Sequence, residues 1–311
     1  TAAVIGFYMM FDRLGGMDTL IQQMMAGIRP ASLIAVPMFI LAADIMTRGQ
    51  SANRLIDMVM SFIGHIKGGL AVSTAASCTL FGAVSGSTQA TVVAVGSPLR
   101  PKMLKAGYSD PFTLALIINA SDIAFLIPPS IGMIIYGVIS GTSIGELFIA
   151  GIGPGLLILF MFSAYCIVYA IVKDVPTEER ASWKERATAV QKALWPLGFP
   201  VIIVGGIYGG IFSPTEAAAA CVLYAVLLEF VVFRSLKMRD IYAIAKSTGL
   251  ITAVVFILVA VGNGFSWIIS FAQIPQAILE AVGVNDAGPT GVLIAICISF
   301  FVACMFVRVN S

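Results

Sequence analysis

The feature that most constrains this chain is a pair of interruptions inside apolar sequence between Phe81 and Ser140. The first is the polar run Ser85-Gly86-Ser87-Thr88-Gln89-Ala90-Thr91, at the centre of residues 69–99. The second is Ile127-Pro128-Pro129-Ser130, within residues 111–140. Hydrocarbon offers no water to bare N–H and C=O groups, so broken backbone at membrane depth survives only when buried in protein or lining a cavity. Paired broken helices near the midplane are the layout of secondary transporters, whose helix ends and unwound carbonyls hold substrate and ions. The region reads as a transport site.

Composition makes the membrane reading firm. The chain is 59% apolar and 11% charged, with a mean hydropathy of +0.98, where soluble proteins carry roughly a quarter charged residues. Cys78, Cys166, Cys221, Cys297 and Cys304 lie in apolar segments without metal-like spacing, and read as small hydrophobes. No Gly-rich loop ending in Lys-Ser or Lys-Thr is present, so no nucleotide cofactor is expected, nor a nucleic-acid partner. Thr1 sits inside an apolar run and the chain stops soon after another, so both ends read as cut.

The expected order begins with the end of a span at 1–11, a short interfacial helix at 17–28 and a span at 30–47. An amphipathic surface helix at 52–66 precedes a hairpin at 69–99 that enters the membrane and returns. A span at 111–140 is broken at Pro128-Pro129, and 146–172 spans without interruption. A charged linker at 173–192, with five basic and four acidic residues, leads to spans at 193–213 and 214–233. An interfacial stretch at 238–246, a span at 247–269, a second surface helix at 274–282 and an apolar run at 288–307 complete the chain. The organisation expected is a first scaffold and arm at 1–66, a transport unit at 67–172, a linker at 173–192, a second scaffold and arm at 193–283, and the start of a second hairpin at 284–311.

Basic residues fix the orientation. Residues 48–67, 100–110, 173–192 and 234–246 hold 15 of the 18 Lys and Arg residues, which makes their face cytoplasmic. A returning hairpin keeps Lys67 and Arg100 on one side; a full span at 69–99 would oppose them. Phe39-Ile40-Leu41 recurs as Phe256-Ile257-Leu258, each followed by a polar break and a surface helix. By the crossing count the two units run in opposite directions, as in inverted-repeat transporters.

An ordered set of motifs carries a family resemblance. Phe81-Gly82-Ala83-Val84-Ser85-Gly86-Ser87, Gly107-Tyr108, Ile127-Pro128-Pro129-Ser130-Ile131, Tyr136-Gly137, Ser143-Ile144-Gly145-Glu146-Leu147-Phe148, Ala150-Gly151-Ile152 with Pro154-Gly155, Gly209-Gly210 and Pro214-Thr215-Glu216-Ala217-Ala218-Ala219 together resemble the large membrane subunit of TRAP transporters, over essentially the whole chain. The chain departs from the family's usual Gly-Asn pair at Ala43-Asp44, and from its Asp-Pro hairpin at Arg308-Val309-Asn310-Ser311. The resemblance implies an all-α polytopic protein of the bacterial inner membrane, working as an inverted-repeat elevator. It implies sodium-coupled uptake of an organic acid in membrane lipid, with a small four-helix membrane subunit and a periplasmic substrate-binding protein as partners. The run from Ser85 to Ala94, with Asn119-Ala120-Ser121-Asp122, is most similar to the sialic-acid branch, and a polyhydroxylated monocarboxylate fits the hairpin better than a four-carbon dicarboxylate.

The expected substrate contacts are Ser85, Ser87, Thr88, Gln89 and Thr91. Sodium ligands are expected from Ser85, Gly86, Ser87, Ile127, Pro128 and Ser130, with Asn119 and Asp122 in a polar network. Each has a plainer alternative. The hydroxyls serve as helix caps, the prolines as a kink, and Asp44 as an interfacial charge. Glu216, beside Pro214, reads as a cap, and the paired glycines at 205–206 and 209–210 as close packing. Two other classes remain open. A passive anion channel would need a ring of polar groups around an open path. An intramembrane serine hydrolase would need a base near Ser85, and the lone His65 is placed at the cytoplasmic surface.

Overall fold

The computed structural model describes residues 17–274, residue 276 and residues 288–307. The helices, numbered along the chain, are α1 (Met17–Gly27), α2 (Ala35–Arg48), α3 (Ser51–Ile63), α4 (Gly69–Ser85), α5 (Thr88–Lys105), α6 (Asp110–Ser121), α7 (Ile131–Ser140), α8 (Ile144–Val172), α9 (Trp183–Pro200), α10 (Pro214–Val226), α11 (Asp240–Phe271) and α12 (Pro289–Val307). No strand occurs among the described residues. Five stretches among them are long and apolar enough to cross a membrane: Ala31–Arg48, Ile144–Val172, Trp183–Tyr208, Pro214–Val232 and Asp240–Phe271. The protein is all-α and multi-pass.

Several boundaries differ from the sequence expectation, among them α5, which runs to Lys105 rather than 99, and two differences stand out. The linker predicted at 173–192 ends early, because Ser182 and Glu185 form a reciprocal capping box that starts α9 at Trp183. The interfacial stretch and span predicted at 238–246 and 247–269 are one continuous helix, α11; Lys246 interrupts the hydropathy but not the backbone. Of the second surface helix predicted at 274–282 only residues 274 and 276 are described; within the hairpin start predicted at 284–311, Pro289–Val307 form α12, and residues 284–287 and 308–311 lie outside the described residues.

Two compact units form, Ile28–Leu258 and Thr1–Gly27 with Val259–Ser311. In the second of these, Leu20 of α1 and Ile268 are buried together with Met24, Val261 and Trp267 packed around them, and the Asn263 amide donates to the Gln23 carbonyl at 2.7 Å.

Within Ile28–Leu258, α2 packs on α10. The alanine-rich motif supplies the contact: Ala217, Ala218, Cys221 and Ala225 are fully buried, as are Ala35, Val36, Phe39 and Ala42. Small side chains let two helix backbones approach closely where lipid removes the hydrophobic drive. Ser213 caps α10, with Glu216 reaching back to the Ser213 N–H at 2.8 Å, so Glu216 is a capping residue.

The cytoplasmic stretches predicted from basic residues meet at one end of this unit. Lys67 Nζ donates to Asp174 Oδ1 at 2.8 Å. The Ser109 and Tyr169 hydroxyls share a hydrogen bond of 3.3 Å. Tyr108, buried after Gly107, stacks on Phe112 and Tyr169 at centroid distances of 5.6 and 6.3 Å. Arg54 lies over the Phe233 ring at 3.5 Å. Both ends of the α4–α5 hairpin therefore reach the same end of the unit, as the crossing count requires.

Candidate transport site

The site is built where two chain reversals touch. At the hairpin tip, α4 ends at Gly86, whose φ is +60°, and Ser87 re-enters α5 in an extended conformation (φ −134°, ψ 125°). Only glycine adopts the left-handed region without strain, which is why α4 stops here. In the second segment, α6 runs into a 3₁₀ turn at Asp122–Phe125, the backbone opens over 126–130, and α7 resumes at Ile131. The Pro128–Pro129 bond is cis.

The reversals are bonded to each other. The Ile131 N–H donates to the Gly86 carbonyl at 3.3 Å. A Cβ at Gly86 would stand 2.0 Å from the Pro129 carbonyl oxygen, so this glycine is required twice, for its backbone angle and for its closeness. Below the tip, a Cβ on Gly82 would meet Ala124 at 2.8 Å. Behind the break, a Cβ on Gly151 of α8 would stand 2.3 Å from the Leu126 carbonyl oxygen, and one on Gly155 would stand 2.7 Å from the Ile127 side chain. The Ala150-Gly151-Ile152 motif with Pro154-Gly155 is thus the groove that seats the broken segment. The family resemblance includes these glycines without a role; the i, i+4 pair facing an interrupted helix is the signal for it.

Polar groups cluster at the contact. Ser85, Thr91 and Ser130 are fully buried. The Ser85 and Thr91 hydroxyls share a hydrogen bond of 3.0 Å across the tip, and Thr91 donates to the Ser87 carbonyl at 2.8 Å. Ser87 donates to the Gln89 side-chain oxygen at 3.1 Å, and Gln89 is exposed. Ser87 also caps α5 by accepting from the Ala90 N–H at 3.5 Å, and Ser130 caps α7 by accepting from the Met133 N–H at 3.2 Å. The Thr88 hydroxyl is buried and has no hydrogen-bond partner, an orphan that costs about 1–3 kcal/mol unless something bonds it.

The predicted residues are not all gathered here. Ser85, Gly86, Ser87, Thr88 and Thr91 share the tip, and Pro128, Pro129 and Ser130 form the buried side of the break, with Ile127 half-buried against Gly155. Asn119 is exposed on α6 and donates back to the Ala115 carbonyl of its own helix at 2.7 Å. Asp122, half-buried, opens the 3₁₀ turn that packs on α4 and α5. Among the described residues no group of three or more His, Cys, Asp and Glu forms a metal-binding cluster; the oxygens offered at the tip are hydroxyls and carbonyls.

The arrangement presents two charges of opposite sign. The N-termini of α5 and α7 both open at the contact, where their free N–H groups favour a carboxylate. The C-terminus of α4 and the end of the Asp122–Phe125 turn lie at the same contact, and their carbonyls favour a cation.

At the end of the unit opposite Lys67 and Asp174, a cavity of about 580 Å³ is lined by Pro30, Ser32, residues 137–138 and 141–145, Ile207, Phe212 and Pro214. It lies at the far ends of the helices whose other ends gather the basic residues.

One residue escaped the sequence reading. Glu229 is fully buried in a π-helical segment, Leu227–Val232, that continues α10. Its carboxylate accepts from the Gln50 N–H at 3.0 Å and the Ser51 N–H at 3.1 Å, and from the hydroxyls of Ser51 and Ser235. An anion thereby caps α3, the surface helix leading into the hairpin. Its only trace in sequence was an acid inside an apolar span, a pattern that marks function by default.

Comparison with known proteins bears out the resemblance. The family described as "Tripartite ATP-independent periplasmic transporter, DctM component" matches residues 1–310. The chain is 88% identical over 307 residues to the "Ectoine TRAP transporter large permease protein TeaC" of Halomonas elongata, covering 99% of this chain and 72% of that protein. It is 73% identical over 305 residues to the "Ectoine/5-hydroxyectoine TRAP transporter large permease protein UehC" of Ruegeria pomeroyi, covering 98% and 71%. Identity to the "C4-dicarboxylate TRAP transporter large permease protein DctM" of Pseudomonas aeruginosa is 38% over 280 residues, covering 90% and 66%. None of these three relatives is named for sialic acid, and hydroxyl-rich tips do not by themselves distinguish one carboxylate from another. The names also answer the two rival classes, since the relatives are named as transporter permeases and not as channels or hydrolases. The chain belongs to the DctM family: it is a large permease component of a TRAP transporter, not an enzyme.

Proposed function

We propose that this permease carries ectoine or 5-hydroxyectoine across the bacterial inner membrane, driven by sodium, with the contact between Gly86 and Ile131 as its binding centre. A small membrane subunit and a periplasmic substrate-binding protein complete the assembly, as the tripartite family description suggests. The substrate assignment rests on the names of relatives at 88% and 73% identity. The observation that carries the site is the bonding of the two reversals, with an orphaned Thr88 hydroxyl beside them.

The chemistry fits a zwitterion. Ectoine has one carboxylate and one amidinium ring. The N-termini of α5 and α7 and the Ser87 and Thr88 hydroxyls suit the carboxylate. Carbonyls at the tip and the break, the Gln89 side-chain oxygen and the negative charge of Asp122 suit the amidinium. Sodium, also a substrate, takes oxygen ligands; the hydroxyls of Ser85, Thr91 and Ser130 with carbonyls at 86–87 and 127–130 supply them. Hairpin and broken segment, locked together by Gly86 and Ile131, move as one body, with α3 as the arm that joins them to the α2–α10 scaffold.

The test is uptake by the full-length permease reconstituted with its partners. Saturable ectoine uptake that excess ectoine suppresses, and succinate and sialic acid do not, is the expected result. Uptake of succinate or sialic acid without ectoine uptake refutes the assignment.

A further inference from the structure

We propose that Arg186 holds the phosphate of an anionic lipid headgroup in the leaflet at the Lys- and Arg-rich end of the protein. This inference rests on the membrane reading and not on the substrate. Arg186 lies in the first turns of α9 and is only 6% exposed. Its Nε and Nη2 atoms are buried and have no hydrogen-bond partner, and it joins no ion pair among the described residues. A buried cation in that condition is costly, and such charges are ordinarily paired.

Only its faces are used. The guanidinium carbon lies 5.2 Å from the Trp183 ring centroid and 5.7 Å from that of Phe62, so two aromatic side chains, one from α9 and one from α3, hold the group by cation–π contact. Its Nε–Nη2 edge is left over. That edge is the fork that binds two oxygens of a phosphate or carboxylate side by side. Trp183 is three-quarters exposed, so the guanidinium rests against a surface side chain rather than deep in the core.

Depth selects the lipid. The helical stretch Trp183–Tyr208 has 26 residues, whereas ~30 Å of hydrocarbon takes about 20 helical residues. Counted back from Tyr208, the hydrocarbon ends just past Arg186, which places residues 183–186 in the headgroup layer. Tryptophan favours that layer, and the neighbouring basic residues Arg180 and Lys184 add attraction for anionic lipid. Because Phe62 belongs to α3, an occupied site also braces the arm.

The experiment uses the purified full-length permease in mixed micelles, with lipid retention read by native mass spectrometry and stability by thermal melting. Phosphatidylglycerol, phosphatidylcholine and inorganic phosphate are the probes. Wild type is expected to prefer phosphatidylglycerol over phosphatidylcholine by about fivefold, and to melt higher with it but not with inorganic phosphate. Arg186→Met, similar in size and apolar, should abolish the preference. If it does not fold, Arg186→Lys keeps the charge without the fork and should lose most of the preference. Equal retention of both lipids by wild type, full stabilisation by inorganic phosphate alone, or an unchanged preference in both variants overturns the proposal. Stabilisation only by the small membrane subunit, with no lipid effect, would assign Arg186 to a protein carboxylate and overturn it equally.

Discussion

The Ile131 N–H donates to the Gly86 carbonyl at 3.3 Å, although the two residues belong to separate reversals of the chain. One bond thus joins the tip of a hairpin to the restart of a broken helix. Every group that the sequence marked as irregular in the apolar region, from Ser85 to Thr91 and from Ile127 to Ser130, lies within a few residues of it. The site is a consequence of that contact.

Gly86→Ala tests the contact. Alanine in the left-handed region costs roughly 1–2 kcal/mol, and its methyl would strike the Pro129 oxygen, so the two reversals must separate. Ectoine uptake should fall at least tenfold while helix content, measured by circular dichroism, stays at the wild-type level. Wild-type uptake in this variant would show that the tip need not touch the break.

Thr88 separates binding from stability. Its buried hydroxyl has no partner in the protein, so Thr88→Val removes an unpaired polar group and should leave the melting temperature equal or higher. The same change should weaken ectoine binding by roughly tenfold, the worth of one hydrogen bond to a charged group. Thr88→Ser should restore it. Calorimetric titration with ectoine and thermal melting give the two readings.

Glu229 anchors the arm. Glu229→Gln keeps the shape but removes the charge that accepts from Gln50, Ser51 and Ser235; a loss of about 2 kcal/mol is expected, in line with hydrogen bonds to charged groups. Ser51→Ala shares the same interaction, so the double variant should lose less than the two single losses combined. Additive losses in chemical denaturation would place the two residues in separate interactions.

Much of this was legible before the structure. Glycine at 86 and the proline pair announced reversals because these residues have few other uses in apolar sequence, and the basic residues placed both ends of the hairpin on one side. Caps such as Ser182 with Glu185 were readable in principle, but the charged residues around them looked like a linker. Glu229 was not legible: its partners Gln50 and Ser51 are far away in the chain, and two of its bonds go to backbone N–H groups, which every residue has. The exposure of Asn119 was not legible either, because which face of α6 a residue occupies depends on packing. The acid carried was beyond reach, since a helix N-terminus recognises a carboxylate and not the rest of the molecule.

The Lys67–Asp174 pair gives a pH signature outside the membrane. The Lys67 ammonium, by hydrogen bond and then by charge, holds the Asp174 carboxyl below its ordinary 3.8. A carboxyl lowered in the folded state contributes stability above its unfolded pKa, and that contribution fades as pH falls through the folded value. Asp174→Asn should therefore melt slightly lower than wild type at pH 7; the difference should begin to shrink only below about pH 4 and close once the pH is under the lowered folded-state value. High salt should also erase the difference, because the pair is exposed.

Sodium coupling at the joined reversals is the central claim, and the sodium dependence of ectoine uptake tests it most directly. In proteoliposomes holding the full-length permease and its partners, Ser85→Ala and Ser130→Ala should each raise the half-saturating sodium concentration about tenfold, as loss of one hydroxyl bond to a charged group would, with protein levels unchanged. Sodium curves that superimpose on wild type in both variants, or ectoine uptake that proceeds equally without sodium, would contradict it.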